Sequence, residues 1–216
     1  MKSKGLFDVI SPIMIGPSSS HTAGAIRLGL MARRIYSSEI KKVVFTLYNS
    51  FAQTGKGHGT DKGLLAGIMG YPVDETKTKN IFSIVNIDYT FKFAEDLSRH
   101  PNSVDIVIND EMFISGESIG AGEIKITSIN GFSVNLSGKY HTILLMYKDK
   151  PGMISEVSKL IQDKNINIAS LHCDRNEKGG TASMYIALDV PGCDDIVEKI
   201  KKIDDVHFVT KIGKLD

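Results

Sequence analysis

Cysteine and tryptophan are scarce in this sequence. Its 216 residues include only Cys173 and Cys193, with no C-x-x-C pair and no tryptophan. Two cysteines exclude a disulfide framework, and such sparing use is typical of a protein in a reducing compartment. Hydrophobic residues make up 42% of the chain, which is enough for a buried core in one large domain or two small ones.

An excess of charge of either sign is also missing. The chain carries 26 basic and 25 acidic residues, a net charge of +1, so nothing electrostatic favours nucleic acid or an acidic membrane surface. The longest uncharged run, residues 9–26, is interrupted by Pro12, Gly16 and Pro17 and does not predict a membrane span. The first ten residues have too short an apolar run for a secretory signal, so we expect a cytoplasmic protein.

One short motif, G-P-S-S-S-H-T at residues 16–22, is rich in hydroxyl groups. Apolar residues with helical spacing follow it, namely Leu28, Met31, Ala32 and Ile35. The serines therefore lie where a helix begins, and free N–H groups and the helix dipole favour an anion there. The motif predicts a carboxylate or phosphate site beside a proton carrier. In the simpler alternative, one serine caps the helix and the others lie in a loop. The residues of the predicted anion site are Ser18, Ser19, Ser20 and His21.

A second cluster of polar and small residues surrounds His58. Gly57 and Gly59 flank this histidine, and the glycines predict a loop whose backbone approaches a ligand. Thr60 and Asp61 are placed to cap a helix that ends near residue 69, and Asp61 is placed to orient the imidazole. A histidine in such a loop is a candidate general base. The alternative is an ordinary surface histidine.

The remaining pattern of the first part is mostly that of strands. Residues 42–48 and 102–109 each predict one strand, and 81–93 predict one or two. The glycines between 115 and 124 predict a bend, which is either a backbone nest for an anion or simply a tight bend before the hairpin. Asn130-Gly131 between alternating runs predicts a hairpin. The change of pattern at residues 136–139 predicts a domain boundary there, which gives domains 1–138 and 139–216.

The second part of the chain has a different pattern of predicted elements. Its strands and helices are predicted in the order βαββαβ, which is the order of a ferredoxin-like unit. Two amphipathic helices are marked by apolar residues around 153–161 and 196–203. A sheet with one open face and two edges needs protection, so we expect contacts with a second copy.

These motifs, in this order, resemble the beta chain of the two-subunit iron–sulfur-dependent L-serine dehydratases, which are L-serine ammonia-lyases. The resemblance rests on L-F-D-V-I-S-P-I-M-I-G-P, G-P-S-S-S-H-T, G-H-G-T-D-K-G and S-I-G-A-G-E-I. The segment K-D-K-P-G-M-I-S further resembles the ligand loop of ACT domains. The implied fold is α+β, an N-terminal α/β substrate-binding-type domain followed by a ferredoxin-like βαββαβ ACT domain.

The resemblance implies a reaction and a division of labour. L-serine would be converted to pyruvate and ammonia, with a [4Fe–4S] cluster on a separate alpha subunit, because a cluster needs three or four thiolates and this chain has two. His58 is the first candidate for the base and His21 the second. Homodimerisation through the ACT domain is expected, and neither nucleic acid nor a membrane is an expected partner. The implied substrate-binding residues are Ser18, Ser19, Ser20, Thr22, Gly57, Gly59, Thr60 and Asp61, and the implied allosteric ones are Asp149, Lys150, Pro151 and Gly152.

Two other functional classes fit the same residues. The first domain also resembles the small-ligand domain that precedes the ACT domain in some phosphoglycerate dehydrogenases, which would make the chain a regulatory amino-acid-binding module. In a weaker third interpretation, the chain is an interaction protein that uses the ACT-like unit only as a dimerisation surface.

Overall fold

A computed structural model describes Gly16, residues 18–191 and residues 194–215. The predictions that fall on residues 1–15, Pro17 and Cys193 lie outside these described residues. The chain divides into two compact units, one comprising residues up to 131 with 135–137, the other residues 132–134 with 138 onward. Within the described ranges, no helix is long and apolar enough to cross a bilayer. The predicted domain boundary at residues 136–139 stays a prediction.

The first unit combines helices with one sheet. Its six-stranded sheet has the order β2-β1-β3-β4-β5-β6, in which β1 and β2 are parallel and the pairs β1–β3, β3–β4 and β4–β5 are antiparallel. Helix α1 packs on α3 and on strands β4 and β5. Along the chain the elements are a π-helical turn Ser19–Ala23, α1 Gly24–Ile35, β1 Lys42–Tyr48, α2 Asn49–His58, α3 Thr60–Ile68, a 3₁₀ turn Thr76–Asn80, α4 Ile81–Ile84, β2 Asp88–Ala94, β3 Ser103–Ile108, β4 Met112–Gly120, β5 Glu123–Ile129 and β6 Phe132–Leu136.

Glycines allow the helices α1 and α3 to approach each other closely. A Cβ atom at Gly67 would lie 2.1 Å from the carbonyl oxygen of Ile26, and one at Gly29 would lie 2.3 Å from that of Leu64. Any larger residue would push the helices apart, because both obstacles are backbone atoms. The pair of glycines thus fixes the distance between α1 and α3 and the position of the turn that precedes α1.

Several predicted elements are confirmed. A helix follows the serine motif, a strand occupies residues 42–48, and another occupies 103–108. Asn130 and Gly131 have φ angles of 48° and 85°, so both have the positive φ that a two-residue hairpin turn requires. The helix predicted from Thr60 is also present.

Three other predictions are wrong. Residues 55–58 belong to α2 and not to a loop; Phe51 anchors this helix in the core, and a Cβ at Gly55 would lie only 3.3 Å from the Leu47 side chain. Residues 81–84 form a short helix before the single strand β2. The predicted bend at 115–124 is mostly strand, and Gly116 is needed for the close approach of Leu28, whose Cδ2 would be 2.7 Å from a Cβ there.

The second unit confirms the predicted βαββαβ order. Its sheet has the order β10-β7-β9-β8, and all three strand pairs are antiparallel. One face of α5 and one face of α6 are buried in a single apolar core with the strands. The protein therefore belongs to the α+β class. The elements are β7 His141–Lys148, α5 Met153–Gln162, β8 Ile168–Arg175, β9 Thr181–Leu188, α6 Asp194–Lys201 and β10 Val206–Ile212.

Candidate functional site

The serine motif forms a π-helical turn that continues into α1. The hydroxyl of Ser18 caps this turn by accepting a hydrogen bond from the His21 N–H at 3.2 Å. The Thr22 N–H donates to the Ser18 carbonyl at 2.9 Å, and the Gly24 N–H donates to the Ser19 carbonyl. Short π-helical segments inside helices often occur at functional sites, because the wider turn redirects side chains. Here the wide turn places Ser18, Ser20 and His21 side by side.

Both nitrogens of the His21 ring have hydroxyl partners. Nδ1 lies 3.1 Å from Oγ of Ser20 and 3.4 Å from Oγ of Ser18, and Nε2 lies 3.1 Å from Oγ of Ser50. The ring also contacts Phe51, with 5.4 Å between centroids. These contacts fix the orientation of the His21 imidazole ring.

Ser50 is the site residue that the sequence analysis missed. It lies in the first turn of α2, directly after Asn49, whose φ of 50° turns the chain from β1 into the helix. The Asn49 side chain holds this turn by donating to the Asp96 carbonyl at 2.8 Å and accepting from the Asp96 N–H at 2.9 Å. A polar residue at the carboxyl end of a strand was the available signal.

His58 lies beside His21 at the other end of α2. Gly59, with a φ of 71°, ends the helix there, and Thr22 donates its hydroxyl hydrogen to the His58 carbonyl at 2.8 Å. The two imidazole rings meet edge to face, with 5.0 Å between their centroids. The His58 side chain is exposed, whereas His21 is half-buried. His58 is therefore the outer histidine of the pair and His21 the inner one.

The surroundings favour a neutral His21. Burial lowers the pKa of its imidazole below the usual 6.5, and the nearby positive charge that His58 can carry lowers it further. Near neutral pH the inner ring is therefore uncharged and can hydrogen-bond to the serines as donor at one nitrogen and acceptor at the other. A neutral His21 beside a second histidine at a helix start provides a place where an anion can bind and a ring nitrogen that can accept a proton.

Other predicted site residues lie beneath this cluster or beside it. Thr60 and Asp61 are buried, and the Asp61 carboxylate accepts a hydrogen bond from the Lys62 N–H at 2.7 Å. Across residues 18–191, no hydrogen bond or ion pair joins Asp61 to His58, so the expected orienting contact is not formed. The exposed Gly57 has open space where a side chain would extend.

The described residues do not fit a resident metal centre. Within Gly16, 18–191 and 194–215, no three His, Cys, Asp or Glu side chains converge as ligands. Cys173 is free and lies on β8 of the second unit. The ligands of an iron–sulfur cluster are therefore not assembled in this part of the chain.

The second unit contains a cavity of about 770 Å³ at the start of α5. The Asp149 carboxylate accepts from the Arg175 guanidinium at 2.9 Å and from the Gly179 N–H at 3.1 Å, and these two donors lower the pKa of Asp149. The Lys150 ammonium donates to the Asp205 carboxylate at 3.0 Å. Both charged residues of the predicted ligand loop therefore already have partners. Pro151 and Gly152 also line the cavity.

Comparison with known proteins gives two family matches in the same order as the units. Residues 5–89 match the family model described as serine dehydratase beta chain. Residues 143–208 match the model described as AHAS small subunit-like ACT domain.

Curated relatives extend the match over the whole chain. The probable L-serine dehydratase beta chain of Bacillus subtilis (strain 168) is 38% identical and covers 99% of this chain and 100% of its own length. The L-serine dehydratase beta chain of Peptoniphilus asaccharolyticus is 40% identical over 88% of this chain and 90% of its own. A D-3-phosphoglycerate dehydrogenase of Bacillus subtilis is 26% identical over 70% of this chain and 30% of its own. The chain belongs to the family of L-serine dehydratase beta chains.

Proposed function

We propose that this chain is the beta subunit of an L-serine ammonia-lyase that works with a separate alpha subunit. The observation that carries the proposal is the contact of the His21 and His58 rings beside the hydroxyls of Ser18, Ser20 and Ser50. The names of the two beta-chain relatives support the substrate, L-serine. In the proposal the [4Fe–4S] cluster is bound by the alpha subunit, since this chain has two cysteines.

The helix start is proposed to hold the carboxylate of L-serine. The first turn of a helix has N–H groups without intrahelical partners, and the helix dipole makes this end positive. The hydroxyls of Ser18 and Ser20 lie at the same place and add neutral donors. Because His21 is uncharged near neutral pH, the carboxylate is held by dipoles and hydroxyls and not by a permanent cation.

His58 is proposed to remove the Cα proton of the substrate. It is the outer ring, it is exposed, and its side chain has no hydrogen-bond partner within residues 18–191, so its nitrogens are free to meet a substrate on a facing subunit. The C–H electron pair then forms the Cα–Cβ double bond as the Cβ hydroxyl leaves, and the proton taken up by His58 passes to this hydroxyl, so that water is released. The resulting aminoacrylate tautomerises and hydrolyses to pyruvate and ammonia without further catalysis. His21 is proposed to orient His58.

The test is an assay of serine deamination after co-expression with an alpha chain. We expect His58→Gln to lower kcat about 10²–10⁴-fold, the usual contribution of a general base. His207→Gln, on an exposed position of β10, is the matched control and should leave kcat unchanged. Near-wild-type turnover of His58→Gln would remove this residue from the mechanism.

A regulatory role is the second candidate function. The cavity of the second unit and the similarity to a phosphoglycerate dehydrogenase favour it. If the chain is only an amino-acid-binding module, calorimetry on the chain alone should detect saturable L-serine binding. Adding an alpha chain should then produce no deaminase activity. If the chain alone does not bind L-serine but the mixture with an alpha chain deaminates it, the result would favour the catalytic subunit.

A further inference from the structure

Strand β2 ends the six-stranded sheet with a row of aromatic residues. In its parallel register with β1, Tyr89, Phe91 and Phe93 lie beside Val43, Phe45 and Leu47, which are the buried residues of β1. The aromatic row therefore continues the core face of the sheet. The opposite face of β2 is polar and exposes Asp88, Thr90 and Lys92.

The aromatic row is covered only in part. Phe91 stacks on Phe45 with 4.9 Å between ring centroids, but Tyr89 is 37% exposed and Phe93 is 48% exposed. From α4, Phe82 stacks on Tyr89 and is itself 40% exposed. A cluster of exposed aromatic residues on a soluble protein usually marks a surface that is covered by a partner.

The backbone at the same edge is available for pairing. The Asp88 N–H donates to the Lys41 carbonyl at 2.9 Å, toward β1. Because successive residues of a strand direct their N–H and C=O groups to opposite sides, those of Tyr89, Phe91 and Phe93 point away from the sheet. Within the described ranges, no strand pairs with this edge.

We propose that the β2 edge pairs with the β2 edge of a second copy, antiparallel and centred on Thr90. In this register Asp88 of each copy lies opposite Lys92 of the other, and Tyr89 of each copy lies opposite Phe91 of the other, so the twofold symmetry produces two pairs of each kind. A twofold axis perpendicular to the sheet keeps the two aromatic faces on one side, so the exposed aromatic rows merge. Opposite-charge and aromatic pairs are the cross-strand pairs that stabilise antiparallel sheets.

The charges of β2 select this partner and this register. A lysine on an edge strand ordinarily prevents pairing, because it would be brought against another chain without a counter-ion. Here Asp88 and Lys92 are placed symmetrically about Thr90 in the sequence, so that two antiparallel copies of the strand have complementary charges. Within residues 18–191, neither side chain has an ion pair. Moving the register by two residues in either direction would leave both charges unpaired. An unrelated strand would not offer this match.

Cysteine cross-linking tests the proposal at its centre. Residues that face each other without hydrogen bonds in an antiparallel pair have Cα atoms about 4.5 Å apart, a distance that a disulfide spans. In the full-length chain with Cys173 and Cys193 changed to serine, Thr90→Cys should form a covalent dimer on mild oxidation. The matched control is Thr46→Cys, on the same face one strand further in, which should stay monomeric on a non-reducing gel. Equal or absent cross-linking of both variants would overturn the proposal.

Charge reversal then tests the register independently of other contacts. Adding Lys92→Asp to Thr90→Cys places like charges opposite each other twice and should slow cross-linking about tenfold. Adding Asp88→Lys as well restores opposite charges and should restore the rate. Lys79→Asp, an exposed lysine on the 3₁₀ turn, is the control for net charge and should have no effect. Failure of the double reversal to restore cross-linking would contradict the pairing.

Hydrogen exchange of the wild-type chain gives a second measurement that needs no variant. The amides of Tyr89 and Phe91 should be protected at high protein concentration and should exchange faster on dilution. Protection that does not depend on concentration, or that is produced only by an alpha chain, would assign this edge to another occupant and overturn the proposal.

Discussion

Single side chains decide the electrostatics of the first unit. His21 is surrounded by three hydroxyls and lies against a second histidine, so its environment accepts a neutral ring more readily than a charged one. On the opposite face of the sheet, burial by itself would raise the pKa of Asp105, but hydrogen bonds from its neighbours outweigh burial and lower this pKa.

The depressed pKa of His21 makes the stability of the protein dependent on pH. The unfolded imidazole binds a proton near pH 6.5, whereas the folded one resists it, so the unfolded state binds more protons below that pH. The free energy of unfolding should therefore fall as the pH falls from about 7 through 6.5 to the folded pKa. Urea unfolding at several pH values should show a smaller decrease for His21→Gln. Equal decreases in the two proteins would contradict the lowered pKa.

Asp105 is expected to contribute strongly to stability. Its carboxylate accepts from Arg99 at 2.9 and 2.7 Å, from Ser115 at 2.6 Å and from Tyr48 at 2.8 Å, and these bonds outweigh burial and lower its pKa. Asp105→Ala should lower the free energy of unfolding by roughly 2–3 kcal/mol, because it leaves the Arg99 guanidinium without its carboxylate. The loss is smaller than for a fully buried ion pair, because this guanidinium is only partly buried. Urea unfolding measures the change.

The control for this substitution is an exposed ion pair with similar donor–acceptor distances, in which a single lysine nitrogen takes the place of the arginine fork. Asp110 accepts from Lys42 at 2.9 Å, but both side chains are about half exposed or more. Asp110→Ala should therefore cost less than about 1 kcal/mol. A similar loss of stability in both variants would show that burial is not the deciding factor.

At the scale of elements, close contact between helices α1 and α3 positions the serine motif. Gly29 lies in the interior of α1 and Gly67 in the last turn of α3, and within a helix glycine is intrinsically unfavourable by up to about 1 kcal/mol relative to alanine. Their presence is explained by the backbone atoms that would collide with a side chain. Packing between helices thus overrides the propensity within each helix.

Alanine at two helical glycines should change stability in opposite directions. At Gly67 the new Cβ would meet the Ile26 carbonyl oxygen at 2.1 Å, and the required shift should cost about 1–3 kcal/mol. At Gly57, where an added Cβ would meet nothing within 4 Å beyond its own helix backbone, alanine should add up to about 1 kcal/mol through helix propensity. Urea unfolding of the two variants measures both effects, and losses of equal size would refute the packing argument.

At the scale of the whole molecule, the candidate site is open on the side of His58 and lacks metal ligands among the described residues. If the reaction needs groups from two chains, the concentration of the complex must determine the rate. The net charge of +1 provides little long-range attraction, so association should depend weakly on salt.

Serine deamination should therefore require both chains. At a fixed concentration of alpha chain, the rate should rise with added wild-type chain and reach a plateau when the complex is saturated. His58→Gln should lower the plateau but leave the half-saturating concentration unchanged, because the residue is proposed to act on substrate and not on assembly. Full activity of the alpha chain alone would contradict the shared site.

The pattern of residues predicted much of the fold because the relevant forces act locally. The apolar periodicity of α1, the alternation around Asn130-Gly131 and the order of the second unit each follow from which face of an element is buried. The segment around His58 was predicted incorrectly, because its glycines are typical of a loop. Phe51 and the contact of Gly55 with Leu47 hold the segment in a helix.

For the site, the amino-acid sequence by itself determined the cap, the hydroxyls of the serine motif and the two histidines as candidates, since these depend on neighbours a few positions away. Only the tertiary structure decided that His21 and His58 meet, that Ser50 joins them from 29 positions away, and that Asp61 does not. The physical reason is that side chains distant in sequence are brought together by the packing of α1, α2 and α3, which no local pattern encodes.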